Sequence, residues 1–147
     1  MSELFVSIKR LDPSVELPSY AYEGDAGLDL RANADVVIEP YQRVLIPTGL
    51  AIAIPDGYAG FVQPRSGMAL KQGLSIANTP GLIDAHYRGE LKVIAVNLDS
   101  EKAIHIERGE RIAQLVIQQV PVVHLVEVDE LDETDRGCGG FGSSGSK

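Results

Sequence analysis

Residues 50–57 read Leu-Ala-Ile-Ala-Ile-Pro-Asp-Gly, and this stretch shows how the chain is built. Its three larger apolar residues alternate with two alanines, and a period of two places the larger side chains on one face of a β-strand. The Pro-Asp-Gly that follows favours a tight turn. The stretch therefore predicts a short, half-buried strand that ends at a turn.

Similar patterns occupy most of the chain. Short apolar runs, several with clear alternation, are found at residues 4–8, 36–38, 44–46, 50–54, 74–77, 91–96, 104–106 and 122–128. Turn-forming residues separate them, among them Pro47-Thr48-Gly49 and Thr79-Pro80-Gly81. Many short strands joined by turns favour an antiparallel sandwich, jelly roll or barrel, so we predict an all-β fold.

Helix is scarce, and the C-terminal residues differ in composition from the rest. One short helix is predicted at Met68–Gln72, with Ser66 as its N-cap and Gly73 as its C-cap residue. Residues 137–147 contain five glycines in eleven positions, too little apolar surface to offset the entropy of ordering them. We therefore predict a β domain over residues 1–131 and a flexible arm over residues 132–147.

The composition excludes several classes of protein. Of 147 residues, 13 are Lys or Arg and 21 are Asp or Glu, giving a net charge of −8. Nucleic-acid and anionic-membrane binding need a cationic surface, so neither is expected. Cys138 is the single cysteine, which rules out an intrachain disulfide. With neither a signal peptide nor a membrane-spanning run in the sequence, we expect a cytoplasmic protein.

Pro64-Arg65-Ser66-Gly67 suits an anionic ligand. A guanidinium, a hydroxyl and exposed amide groups at a helix start together favour a group such as phosphate. An ordinary helix cap with a surface arginine would give the same sequence, so this motif alone does not decide.

Residues 78–90 combine the groups that a nucleotide reaction needs. Asp84, at the edge of a turn, could take a proton from water, and the Tyr87 ring could pack on a sugar. Asn78 offers both a donor and an acceptor, as a pyrimidine edge requires. The alternative is a turn in which Asp84 caps the backbone and the neighbouring charges are solvated.

Three further segments could serve a ligand or a structural role. Asp29 lies between two leucines and could anchor Mg²⁺, or it could be an outward-facing strand residue. Gln114, in an apolar strand, needs a hydrogen-bond partner, which a ligand or the sheet could supply. Residues 136–145, with Arg136 and Phe141 among glycines, could close around phosphate or could form a disordered tail.

Zinc and thiol chemistry are not expected. His86, His105 and His124 lack the close spacing of a zinc site, and Cys138 has no neighbouring base to activate it.

Taken in their order along the chain, these five segments resemble the trimeric dUTPase family, the deoxyuridine triphosphate nucleotidohydrolases, over about residues 4–145. The resemblance implies a β jelly roll assembled as a homotrimer, with active sites at the subunit interfaces. It implies hydrolysis of dUTP to dUMP and pyrophosphate with Mg²⁺ as cofactor. The product would supply thymidylate synthesis, and removal of dUTP would keep uracil out of DNA.

The resemblance also implies a role for each matched residue. Asp84 would activate the water that attacks the α-phosphorus, and Asp29 would reach Mg²⁺ through water. The nucleoside would contact Asn78, Leu82, Ile83, Asp84 and Tyr87, with Lys92 nearby. The phosphates would contact Arg65, Ser66, Gly67 and Gln114. The arm would close over the site with Arg136, Phe141, Gly142, Ser143 and Ser144, and Phe141 would stack on uracil.

Some positions depart from the commonest family pattern. His86 stands where many relatives carry Asp or Gly, and Ser144 replaces a frequent Thr but keeps the hydroxyl. Two alternatives remain open on the sequence: a dCTP deaminase of the same fold, and a non-catalytic jelly-roll protein that binds nucleotide. The deaminase would need an acid–base group beside the nucleobase. The non-catalytic protein would not need Asp84.

Overall fold

The chain forms ten short β-strands and one helix in a computed structural model that describes residues 2–147. In chain order the elements are β1 (Ser7–Arg10), β2 (Leu28–Arg31), β3 (Val36–Ile38), β4 (Arg43–Ala53), β5 (Tyr58–Gln63), α1 (Ser66–Gln72), β6 (Leu74–Ile76), β7 (Gly81–Ile83), β8 (Glu90–Asn97), β9 (Ile104–Ile106) and β10 (Arg111–Gln119). No helix within residues 2–147 is long and apolar enough to cross a membrane.

The strands form two four-stranded antiparallel sheets and one short pair. The first sheet has the order β1-β4-β8-β6, the second has the order β2-β10-β5-β7, and β3 pairs with β9. Strand β8 shows the predicted alternation, because Leu91, Val93 and Ala95 are buried while Lys92 and Ile94 are exposed. Each four-stranded sheet thus turns one apolar face inward.

One hydrophobic core joins the two sheets. Leu50, Ile52, Leu91 and Val93 of the first sheet and Leu30, Val62, Ile112 and Leu115 of the second belong to a single buried cluster. Burying a side chain of this size contributes about 1.5–3 kcal/mol, so the cluster is the main source of stability. The prediction of an all-β, jelly-roll-like fold is confirmed.

Strand β4 is longer than the sequence predicted. It runs through Pro47-Thr48-Gly49, where a turn was expected, and its register against β8 shifts between Pro47 and Ala51. Thr48 is buried there and donates a 2.6 Å hydrogen bond to the Leu91 carbonyl, while the Gly49 N–H donates to Glu90 Oε2 at 3.1 Å. The turn-forming residues make an irregularity within one strand because β8 remains paired on both sides of it.

Helix α1 confirms the predicted helix but not its cap. The N-cap residue is Arg65, in extended conformation with no side-chain cap hydrogen bond, and Ser66 is already helical. The predicted cap at Ser66 is therefore wrong by one residue. Gly73 ends the helix in the left-handed region, with φ 76°, as predicted.

The predicted strand at residues 122–128 is wrong. Strand β10 ends at Gln119, and the residues beyond it form no strand in the part of the chain that the structure describes. Val122, Leu125 and Val126 are more than three-quarters exposed, at 80%, 94% and 81%. The alternation is present, but no strand of the same protomer pairs with it. The arm that follows forms short turns whose hydrogen bonds stay within residues 134–145.

Candidate active site

A polar cavity of about 440 Å³ opens on the second sheet, and we call it the arginine pocket. The residues of its lining that carry the argument are Asp29, Gln63, Arg65, Arg111 and Gln114. The strand register explains their proximity. Gln114 on β10 lies opposite Asp29 on β2 and also opposite Gln63 on β5, and Arg65 follows Gln63 by two residues.

Asp29 faces this pocket as a nearly buried carboxylate held between two guanidinium groups. Its Oδ1 lies 3.7 Å from Arg65 Nε, and its Oδ2 lies 3.4 Å from Arg111 Nη1. A charge this far from water needs such partners, since its desolvation is otherwise costly. The outward-facing alternative for Asp29 is thereby excluded.

Arg65 is positioned by these contacts and still has unused donors. Its Nη1 donates to the Arg111 carbonyl at 3.3 Å, while its Nε is buried without a hydrogen-bond partner. That Nε faces the Asp29 carboxylate, so the donors left for a ligand are the remaining N–H groups on the two Nη atoms. Of the four predicted phosphate positions, Arg65 and Gln114 line the cavity, while Ser66 and Gly67 follow Arg65 in the chain as exposed residues outside its lining.

Arg111 and Gln63 are parts of the pocket that the sequence analysis missed. An arginine at the start of a strand and a glutamine at the end of one are usually solvated. The spacing argued against a shared site, because Arg111 lies three residues before Gln114 and a regular strand would place the two side chains on opposite faces. A bulge between Arg111 and Ala113 changes that direction.

Asp84, Tyr87 and Asn78 belong to a second segment, residues 78–90, which connects β6 to β8 and which we call the hairpin, although its strand β7 pairs with β5 and not with β8. Strand β7 pairs with β5, and Asp84 follows β7 directly as an exposed residue. The Tyr87 N–H donates to the Asp84 carbonyl at 3.1 Å, and Tyr87 Oη donates to the Glu90 carbonyl at 2.8 Å. These bonds fix the turn while leaving the Asp84 carboxylate free of any side-chain hydrogen bond within residues 2–147.

The same hairpin presents apolar and amide groups next to that carboxylate. Leu82 is 58% exposed and Tyr87 is 44% exposed, unusually open positions for large apolar side chains. The Tyr87 ring lies against Gly89, since a Cβ there would be only 2.6 Å from Tyr87 Cζ. The Asn78 amide lies beside Gly81, and Lys92 is exposed on β8 just after the hairpin.

A single protomer does not bring the hairpin and the arginine pocket together. Asp84 lies one residue beyond the Gly60–Ile83 pair, level with Ala59, whereas Asp29 is level with Gln63 and three strands away. At ~3.3 Å per residue and ~4.8 Å per strand, Asp84 and Asp29 are about 20 Å apart. A ligand shorter than this separation cannot contact both groups in this protomer.

The arm forms a third group, separate from both. Phe141 is fully exposed, and the Arg136 Nε donates to the Gly139 carbonyl of the arm itself. Gly142, Ser143 and Ser144 are likewise exposed and lie in a turn. In this protomer the arm residues therefore contact neither the hairpin nor the arginine pocket through a hydrogen bond.

The residues present suit Mg²⁺ only as an ion brought by a ligand. Within residues 2–147 no three metal-ligating side chains are grouped together. The Asp29 carboxylate already faces two guanidinium groups, so direct coordination of a dication there is disfavoured. Mg²⁺ usually keeps several waters and binds one or two carboxylates together with phosphate oxygens, which fits contact with Asp29 through water.

Comparison with known proteins gives one consistent result. The dUTPase family model matches residues 14–145. The deoxyuridine 5'-triphosphate nucleotidohydrolase of Corynebacterium diphtheriae is 57% identical over 140 residues, covering 95% of this chain and 92% of the relative. That of Streptomyces coelicolor is 53% identical over 142 residues, covering 97% and 78%.

Solved structures agree with the sequence comparison. The Staphylococcus bacteriophage 80alpha dUTPase, solved with dUpNHpp, gives a TM-score of 0.88 at 34% identity and covers 97% of this chain and 99% of that one. A variant of the dUTPase of phage phi11 of S. aureus, described for the coordination of a structural Mg(II) ion, gives a TM-score of 0.81 at 28% identity. It covers 88% of this chain and 100% of that one.

Proposed function

The chain belongs to the dUTPase family, and from that premise we propose that it hydrolyses dUTP to dUMP and pyrophosphate with Asp84 as the general base. The observation that carries the assignment of the base is the Asp84 carboxylate, exposed and unpaired on a turn fixed by its own backbone. An unpaired carboxylate is free to take a proton from the water that attacks the α-phosphorus in line.

The hairpin would bind the nucleoside. Tyr87 would pack on the deoxyribose and leave no room for a 2′-hydroxyl, while Asn78 and the backbone at Leu82 and Ile83 would pair with the uracil edge. Cytosine carries a donor at N4 where uracil carries an acceptor at O4. A polar edge shaped for uracil would reject cytosine, because buried groups would stay unpaired.

The arginine pocket would bind the phosphates. Arg65, Ser66, Gly67 and Gln114 offer donors to a polyanion on a protein whose net charge is −8, so the cations have to be concentrated locally. When bound to the phosphate oxygens, with Asp29 in contact through water, Mg²⁺ would neutralise charge on the triphosphate. The same phage enzyme solved with dUpNHpp supports a triphosphate-shaped ligand for this family.

A homotrimer would complete each site. The separation of about 20 Å between Asp84 and Asp29 supports a site that takes the hairpin from one copy and the pocket from another. The exposed apolar side chains at residues 122–131 support burial against a neighbouring copy. The arm of residues 132–147 would then close over bound nucleotide, with Phe141 on uracil, Gly142 beside it, and Arg136, Ser143 and Ser144 on the γ-phosphate.

The reaction would serve two purposes. Its dUMP would supply thymidylate synthesis, and its removal of dUTP would limit uracil in DNA.

Pyrophosphate release from dUTP with Mg²⁺ tests the proposal. Wild-type protein should release pyrophosphate, the Asp84→Asn variant should lose kcat by about 10³-fold or more while still binding dUTP, and Glu101→Gln should match wild type. Retained turnover in Asp84→Asn would reject the assigned base. Ammonia release from dCTP would instead indicate a deaminase, and binding without turnover in wild type would indicate a non-catalytic protein.

A further inference from the structure

His86, two residues after Asp84, contacts a different part of the chain. Its Nε2 lies 2.7 Å from Oδ1 of Asp56, which belongs to the turn between β4 and β5. Thirty residues separate the two in sequence, and both side chains are more than four-fifths exposed. The distance is that of a well-formed hydrogen bond, and forming it costs both exposed side chains rotamer freedom.

Within residues 2–147 this contact is the side-chain hydrogen bond that ties the tip of the hairpin, residues 84–89, to a part of the chain distant in sequence. The other bonds at the tip are local: Tyr87 Oη donates to Glu90, and Arg88 Nη1 donates to the carbonyls of Ala85 and Tyr87. They join the tip to itself and to the first residue of β8, whereas the bond from His86 joins it to the turn between β4 and β5.

The Asp56 side of the contact is itself firmly held. The Tyr58 N–H donates to the Pro55 carbonyl at 3.2 Å, which closes the turn. The Val120 N–H, at the end of β10, donates to the Gly57 carbonyl at 2.8 Å. Asp56 is therefore an anchor on the body of the protein, and His86 is the group that reaches it.

We propose that His86 and Asp56 form a positioning pair that orients the turn carrying Asp84 for attack on the α-phosphorus. The inference rests on the proposed function, since it takes Asp84 to be the base. A base has to be aligned with the attacking water before reaction, and misalignment lowers kcat without lowering substrate affinity by the same factor. The pair acts through Asp84 and touches no substrate atom.

The His86 ring can donate its Nε2–H to the Asp56 carboxylate. The neighbouring Arg88 guanidinium is turned onto the Ala85 and Tyr87 carbonyls, so it does not compete with His86 for Asp56.

Steady-state kinetics of dUTP hydrolysis with the full chain and Mg²⁺ test the proposal. We expect His86→Ala and Asp56→Ala each to lower kcat about three- to fivefold with KM changed less than twofold, since an exposed pair contributes modestly. The double variant should lose no more than either single one. His86→Gln keeps a donor of similar reach without titrating and should restore most of kcat. His105→Ala, an exposed histidine on β9, is the matched control.

The split between kcat and KM separates positioning from a purely structural effect. Loss of the pair should lower kcat while the KM for dUTP and the thermal unfolding midpoint stay close to wild type, and His86→Gln should recover kcat. Additive losses in the double variant, or a KM that rises as much as kcat falls, would overturn the proposal. Asp84→Asn in the same series distinguishes failure of the proposed function from failure of the positioning pair. If it is inactive and the His86 and Asp56 variants match wild type, the positioning pair alone is wrong.

Discussion

Mixing two inactive variants provides the sharpest test of a site shared between copies. The variants are Asp84→Asn, which removes the base from the hairpin, and Arg65→Ala, which removes a cation from the arginine pocket. Each alone should be inactive. If a site takes its hairpin from one copy and its pocket from the next, a mixed trimer contains sites in which both residues are wild type.

The expected recovery follows from counting sites. In trimers reassembled at random from equal amounts, half of the hairpins carry Asp84 and half of the pockets carry Arg65. About a quarter of all sites are then intact, so the mixture should show about a quarter of wild-type activity. Recovery should be largest at equal amounts and fall symmetrically on either side. The structural basis is the distance of about 20 Å between Asp84 and Asp29, too far for one protomer to place both on one phosphate.

The assay is pyrophosphate release after the two chains are denatured together and refolded, with each variant refolded alone as the control. Circular dichroism and size-exclusion chromatography establish that all samples fold and assemble alike. A mixture that stays as inactive as its components, although assembled, would refute the shared site.

Three further predictions address the arm and the stability of the body. Deleting Arg136–Lys147 should lower kcat by about 10²-fold or more because bound nucleotide stays open to water, while the thermal unfolding midpoint stays unchanged; a full loss of folded signal would contradict this. Asp12 accepts hydrogen bonds from the Ser14 hydroxyl and N–H, with smaller contributions from Asn33 and Arg108, which lower its pKa from 3.8 to about 2. Ionised Asp12 therefore stabilises the fold above pH 4 and loses this effect as pH falls toward 2. The urea unfolding midpoints of wild type and Asp12→Asn should differ at pH 7 and converge near pH 2. Gly49→Ala should destabilise by about 1–3 kcal/mol, because a Cβ there would lie 2.8 Å from Val15 Cγ2 at a φ of +72°. Gly109→Ala, with φ +94° and open space around the Cβ, is its control and should cost less in urea unfolding.

Strands with a partner in the protomer were predictable from the sequence. Residues 50–54 and 91–96 alternate because one face meets the core and the other does not, and both lie in strands of the first sheet. Residues 122–128 alternate just as clearly and form no strand. Alternation reports which side chains are to be buried, but it contains no information about whether the burying surface belongs to the same copy.

The composition of the site was more predictable than its arrangement. Arg65 and Gln114 were chosen from their own segments, and the structure places both at one pocket with Asp29. The pairing of Asp29 with Arg111 could not be foreseen, because 82 residues separate them and only the β2–β10 register joins them. The distance of Asp84 from that pocket is likewise a matter of register along β5, which no local pattern encodes.

The exposed apolar segment that follows β10 bears on the fraction of the protein that is active at a given concentration. Six large apolar side chains from Val122 to Leu131 are each more than half exposed in the part of the subunit that the structure describes. Under the proposed assembly their burial depends on mass action, so dilution would both expose them to water and dismantle the catalytic apparatus. Specific activity should accordingly decline at low subunit concentration. A dissociated monomer would be inactive rather than weakly active.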